Sequence, residues 1–236
     1  MTTSRSAEPL RIIAFASPKR GVGKSTMCAC VASVLAHRGY PVTVLDIDQN
    51  RTLHQWALRF PKLAEHITVE PVDGDDLIER VKELYQTTSG FLLIDVAGAF
   101  QTATIAAATI AHLTITPAKP SAPDIIEAVK LNREIRELSA KIGKPIVHKV
   151  LINGVSPIWP TYQRAALSEI ERAGLSRFDT CILDRAPYAE MFLTGQPPHF
   201  ADTSRETIAK AVSQLDDLVD EVLDVFAQSD HSKEAA

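Results

Sequence analysis

The chain has 236 residues, is 45% hydrophobic and carries a net charge of −4. Its size and apolar content fit one α/β domain, residues 1–236, with a full core rather than two small domains. The mild acidity excludes a constitutively polybasic protein, so any nucleic-acid contact must come from a local patch.

Residues 1–9 are polar, lack the apolar stretch of a signal peptide and are expected to be disordered. Residues 10–16 form an apolar run that reads as a buried strand. Residues 27–37 place Met27, Val31, Val34 and Leu35 at helical spacing, with Gly39 as a stop. Between them lies Ser17-Pro-Lys-Arg-Gly-Val-Gly-Lys-Ser-Thr26, and strand, glycine loop, helix is the setting of a phosphate-binding loop. Gly21 and Gly23 let successive N–H groups, with those of Arg20 and Val22, turn toward an anion. The helix start adds its positive dipole end. Lys24 supplies a cation for the β- and γ-phosphates, the Ser25 hydroxyl suits Mg²⁺, and Thr26 can reach the α-phosphate. Pro18 stands where the usual motif has its first glycine.

Residues 40–45 read as a second buried strand, running into Asp46-Ile-Asp-Gln-Asn-Arg51. Ligands gather at the carboxyl ends of parallel strands, so these acids share an edge with the glycine loop. Asp46 and Asp48 share strand parity; Asp46 is the better placed to support Mg²⁺ or the loop, and Asp48 lies further out. Residues 52–60 read as a short helix, 67–72 as a strand and 75–86 as an amphipathic helix. Residues 91–95 are four apolar residues ending in Asp95, the form of a Walker B strand whose carboxylate holds Mg²⁺, and Gly98 can bring an N–H near the γ-phosphate. A helix over 99–111, a strand over 112–116, a proline-punctuated loop to 123 and a helix capped by Asp124 follow. The next strand, 145–152, ends at Asn153-Gly154. A helix over 161–173, a last strand over 178–183 and a loop with a short helix precede the final helix, opened by the capping box Thr203-x-x-Glu206. Residues 228–236 are expected to be disordered. Strands alternating with helices imply a doubly wound, mostly parallel sheet of about seven strands flanked by helices.

The loop resembles the deviant Walker A motif, K-G-G-x-G-K-[ST], of the ParA/MinD family of P-loop ATPases. Lys19 matches the family's signature lysine, which reaches the partner's nucleotide across a dimer; Arg20 stands where glycine is usual. A solvated loop lysine is the plain alternative for Lys19. Asp46-x-Asp48 resembles the switch I motif D-x-D-P-Q, whose second acid orients the attacking water. The ending Gln49-Asn50-Arg51, with Leu53 and Trp56, is more similar to the VirC branch, as is Arg185-x-x-Tyr188-x-x-Met191-x-x-x-Gly195. Asn153 matches a position where some members contact the base; a core asparagine turn fits it equally. The resemblance implies ATP and Mg²⁺ as cofactors, a homodimer formed on ATP, sequence-independent DNA, an adaptor or relaxosome-type partner, and a cytoplasmic, nucleoid-associated protein. Arg185, Arg205 and Lys210 are candidates for the DNA face. Two other classes remain: a metabolic P-loop ligase or kinase, and a MinD-like membrane-positioning ATPase. The cysteines Cys28, Cys30 and Cys181 make no metal framework and read as small core residues. No run approaches the ~18 apolar residues of a membrane span. The final helix shows Asp216, Asp217, Asp220, Glu221 and Asp224 on its polar side, a face that anionic lipid repels.

Overall fold

In β1 (Arg11–Phe15), side chains alternate between the faces of a sheet. Ile13 and Phe15 enter one core and Ile12 and Ala14 another, all of them buried. β2 (Val42–Asp46), β4 (Phe91–Asp95) and β5 (Leu113–Ala118) are buried along their whole length. Continuous apolar runs of this kind belong to parallel strands covered on both faces. The computed structural model describes residues 9–96 and 101–234, apart from the side chains of 101, 229 and 231–234. With β3 (Thr68–Pro71), β6 (His148–Val155) and β7 (Ile182–Leu183), the strands form one seven-stranded sheet in the order β3-β2-β4-β1-β5-β6-β7. Every pairing is parallel.

One face carries α1 (Lys24–His37), α2 (Thr52–Arg59), α7 (Ala186–Thr194) and α8 (Glu206–Glu234). α1 is buried nearly all round, between the sheet and α8, which suits its run of Met27, Cys28, Cys30, Val31, Val34 and Leu35. The three cysteines are free thiols; Cys28 and Cys30 lie in this core. The other face carries α3 (Leu77–Thr87) and α4 (Gln101–Ile110), while α5 (Ala122–Ile142) and α6 (Thr161–Arg172) cover the β5–β6 side. β1 lies between β4 and β5, so the chain leaves it one way to β2 and later crosses to its other side. That switch point opens a crevice at the carboxyl end of β1.

Two elements depart from the sequence reading. The last strand is expected over 178–183, yet β7 keeps only Ile182–Leu183. Phe178 N still donates to Val150 O of β6 at 3.0 Å, but the next two N–H groups turn to α8. The Glu221 carboxylate accepts from the N–H groups of Asp179 and Thr180, each at 2.7 Å. Gln214 accepts from Leu183 N at 3.1 Å and donates to Cys181 O at 2.7 Å. The final helix is expected to give way to disorder at 228, but α8 continues to Glu234. Arg11 holds that extension: it donates to Asp230 at 3.1 Å, and its guanidinium lies 5.3 Å from the Phe226 ring centroid. Gly98, named above for the γ-phosphate, lies outside the described residues.

Candidate functional site

The carboxyl ends of β1, β2 and β4 bring the site together. Asp95 is the register partner of both Phe15 on β1 and Asp46 on β2. The glycine loop follows Phe15, and α1 begins at Lys24 with Gly23 as its N-cap. Gly23 has φ 94° and Gly21 φ 72°, the left-handed region that favours glycine. Space adds a second constraint at Gly23: a Cβ there would lie 2.2 Å from Asn153 Nδ2. That amide donates to Val22 O at 2.8 Å. Asn153 therefore braces the loop from the end of β6.

Lys24 is 7% exposed, and its ammonium donates to Lys19 O at 3.1 Å. Burial lowers its pKa; the charges of Asp95 and Asp48 oppose that, and Arg20 adds to it. Both carboxylates thus feel the same cation. Asp95 is fully buried, and among the described residues neither of its oxygens has a hydrogen bond of normal geometry. Burial pushes its carboxyl up to about 7. The Ser25 hydroxyl lies near enough to oppose that rise, Asp46 adds to it, Lys24 opposes it and Asp48 adds to it. An orphaned buried carboxylate beside a helix-start hydroxyl fits a hard divalent cation. Among the described residues no three His, Cys, Asp or Glu side chains form a metal cage. Mg²⁺ suits such an open site, because it keeps few protein ligands and takes substrate phosphates for the rest.

Asp46, named above for either Mg²⁺ or the loop, supports the loop. Its Oδ1 accepts from Asp48 N at 3.1 Å, and its Oδ2 accepts from Leu53 N at 2.9 Å and His54 N at 3.0 Å. It caps the start of α2 from a distance, satisfying N–H groups that a helix cannot satisfy itself. Asp48 is half-buried, and its Oδ1 accepts from Asn50 N at 2.9 Å, an Asx turn.

Lys19 is no free loop lysine in this structure. Its ammonium pairs with Asp124, a 5% exposed carboxylate in the first turn of α5 that also accepts from the Ser121 hydroxyl at 2.8 Å. The N-cap of α5 is Ser121, not Asp124. Arg20 is exposed.

A cavity of about 270 Å³ opens on the other side of the loop, walled by Gly21, Val22, Gly23 and Thr26 and faced by Lys119, Asn153, Arg185 and Tyr188. Arg185, placed above with the DNA candidates, stands in this wall; its buried Nε has no hydrogen bond among the described residues. It does not lie in a patch of free cations with Arg205 and Lys210. Arg205 pairs with Glu190 at 3.5 Å and Lys210 with Glu206 at 2.5 Å. Lys119 was not singled out from sequence, although its place just after a strand in a proline-rich loop was a signal.

The family model for the CobQ/CobB/MinD/ParA nucleotide-binding domain matches residues 13–197. The chain belongs to this family. Its curated relatives include protein ParA of Rhizobium radiobacter, 26% identical over 207 residues, covering 87% of this chain and 92% of that protein. Among solved structures, apo McdA of Cyanothece superposes with a TM-score of 0.72 at 16% identity, covering 90% of this chain and 99% of McdA. A plasmid partition protein of Borrelia burgdorferi bound to AMPPNP gives 0.67 at 14% identity, covering 89% and 99%. These two likenesses concern the fold. Within the ParA/MinD fold, the matched segment holds the glycine loop, the Asp46–Asp48 pair and Asp95, and ends just beyond Arg185.

Proposed function

We propose that the chain is a ParA-like ATPase that partitions or positions a cargo by alternating between an ATP-bound dimer on DNA and a released monomer. The observation that carries this reading is the pair of lysines in one loop. Lys24 is buried within the fields of Asp95 and Asp48, while Lys19 is half-buried and pairs with Asp124 of its own chain. One lysine suffices for a phosphate in its own subunit; a second, able to exchange Asp124 for phosphate, suits a nucleotide presented by another copy.

The chain's own groups divide the work. Backbone N–H groups of the 20–24 loop and the Lys24 ammonium bind the β- and γ-phosphates. Ser25 and Asp95 would hold Mg²⁺, which neutralises charge between those phosphates when bound. Asp48 orients the attacking water, and Asp46 fixes the backbone that carries it. Phosphoryl transfer asks mainly for positioning of this kind. The cavity beside Thr26 takes the nucleoside end, with Arg185 and Asn153 at its wall. Slow hydrolysis, accelerated by an adaptor or relaxosome-type partner, then returns the dimer to monomers.

The reading places the protein in the cytoplasm, on the nucleoid. Among the described residues no helix is long and apolar enough to cross a membrane. The acidic side of α8 is partly engaged within the chain: Asp216 and Asp220 pair with Arg38 at 2.9 and 2.6 Å.

DNA binding supplies the test. With ATP and Mg²⁺, fluorescence anisotropy should give similar affinities for two unrelated duplexes, on the order of 10⁻⁴ to 10⁻⁶ M at physiological salt. Binding should weaken steeply with salt as counterion release is lost, and should be absent with ADP. Sequence-selective binding, or binding indifferent to nucleotide, contradicts the proposal.

A further inference from the structure

Asp48 sits in a tight loop between β2 and α2, and that loop closes on a residue in an unusual conformation. Arg51 N donates to Asp48 O at 2.9 Å, and Arg51 itself has φ 50° and ψ 41°. Left-handed backbone at a residue with a long side chain is uncommon and is retained where surrounding contacts over-determine it. Here the guanidinium supplies those contacts. It donates to the main-chain carbonyl of Asp46 at the end of β2 and to that of Val72 just beyond β3, the latter at 2.6 Å, and it pairs with the Asp73 carboxylate. Val72 N also donates to Asp46 O, at 3.1 Å. One side chain thus ties the Asp48 loop to the ends of two adjacent strands. The fork of a guanidinium can bridge three such acceptors; a lysine ammonium is a point charge on a flexible stem.

We propose that Arg51 is a positioning residue for ATP hydrolysis. By anchoring the loop to β2 and β3, it sets the distance and direction of the Asp48 carboxylate relative to the γ-phosphate. This rests on the reading of Asp48 as the residue that orients water. The terminal nitrogens of Arg51 are engaged by Asp46, Val72 and Asp73, so its role runs through the loop. Asp46 reaches the same loop from the inside, through Asp48 N and the first N–H groups of α2. The loop is therefore held from within by a buried carboxylate and from outside by a guanidinium, and Asp48 lies between the two.

The test uses the full chain with Arg51→Gly, Arg51→Lys, Asp73→Ala, Asp48→Ala and the double variant Asp48→Ala/Arg51→Gly. Glycine accepts φ 50° without strain, so Arg51→Gly removes the guanidinium while sparing the backbone. Single-turnover hydrolysis, ATP affinity by calorimetry and thermal melting are measured for each. Arg51→Gly should slow hydrolysis by roughly tenfold to a hundredfold, the scale of a small misplacement of a catalytic group. Its ATP affinity should stay within about twofold of wild type, since only positioning is lost. Arg51→Lys and Asp73→Ala should fall between it and wild type. The double variant should be no slower than Asp48→Ala alone, because Arg51 acts through Asp48. If Arg51→Gly hydrolyses at the wild-type rate while Asp48→Ala is slow, the positioning role is wrong and the Asp48 assignment survives. If Asp48→Ala is itself as fast as wild type, both fall together. A loss of ATP affinity in step with the rate makes Arg51 a structural residue only. Should Arg51→Gly fail to fold, Asp73→Ala decides: slowed hydrolysis at unchanged affinity supports the proposal, and a wild-type rate overturns it.

Discussion

Lys24→Ala is expected to abolish measurable ATP binding while leaving the fold intact. The Lys24 ammonium is buried at the start of α1, within the fields of Asp95 and Asp48. Triphosphate brings more negative charge into the same pocket, and the loop's N–H dipoles alone must then offset it. Removing one side of a buried charge pair costs roughly 3–5 kcal/mol. That cost corresponds to an affinity weaker by on the order of 10²- to 10³-fold or more. Burial already pushes the Asp95 carboxyl up to about 7, and Lys24 is one of the groups holding it down. Without Lys24 that carboxyl binds its proton more tightly, which disfavours Mg²⁺ as well. Titration calorimetry with ATP and Mg²⁺ is the measurement; near-wild-type affinity in Lys24→Ala would remove the phosphate-loop assignment.

Asp48→Ala is expected to separate binding from chemistry. Among the described residues Asp48 makes no hydrogen bond to α1 or the glycine loop; its hydrogen bonds stay local, to Asp46, Asn50 and Arg51. ATP affinity should therefore persist. On the proposed reading the lost carboxylate holds the attacking water, and a contribution of that kind is typically about 10²- to 10⁴-fold. The variant should accumulate as an ATP-bound dimer that resists stimulation by its partner. Phosphate release together with size-exclusion chromatography in ATP tests this. A wild-type rate would move the water-orienting role to another residue.

Much of the fold was legible because buried parallel strands are nearly unbroken apolar runs. Residues 91–95 and 40–45 could hardly be read otherwise. β7 was not, because its outer N–H groups bond to Glu221 and Gln214, some 30 to 40 positions away along the chain. No local pattern marks a strand cut short by a distant helix. The length of α8 likewise depends on Arg11, from the opposite end of the sequence. In the site, the loop and Asp95 were readable from their place at strand ends. The role of Asp46 was left open between cation and loop, and three backbone N–H groups favour the loop. Arg185 was placed with the DNA candidates by the motif it opens and by its charge; only the folded chain puts it beside Thr26. The Lys19–Asp124 pair joins two segments over a hundred residues apart, and spacing could not have announced it. The anchoring by Arg51 was hidden too: two of its three partners are main-chain carbonyls, which leave no mark in a sequence.

The Lys19–Asp124 pair also bears on the account's central claim, a nucleotide-dependent dimer. Lys19 is already paired in the single chain, so reaching a partner's nucleotide requires exchanging Asp124 for phosphate. Multi-angle light scattering of wild type and Lys19→Ala, each with ADP and with ATP plus Mg²⁺, measures this most directly. Wild type should be monomeric with ADP and dimeric with ATP; Lys19→Ala should bind ATP by calorimetry yet remain a monomer with either nucleotide. A wild-type chain that stays monomeric with ATP, or a Lys19→Ala variant that dimerises as readily as wild type, would contradict the account.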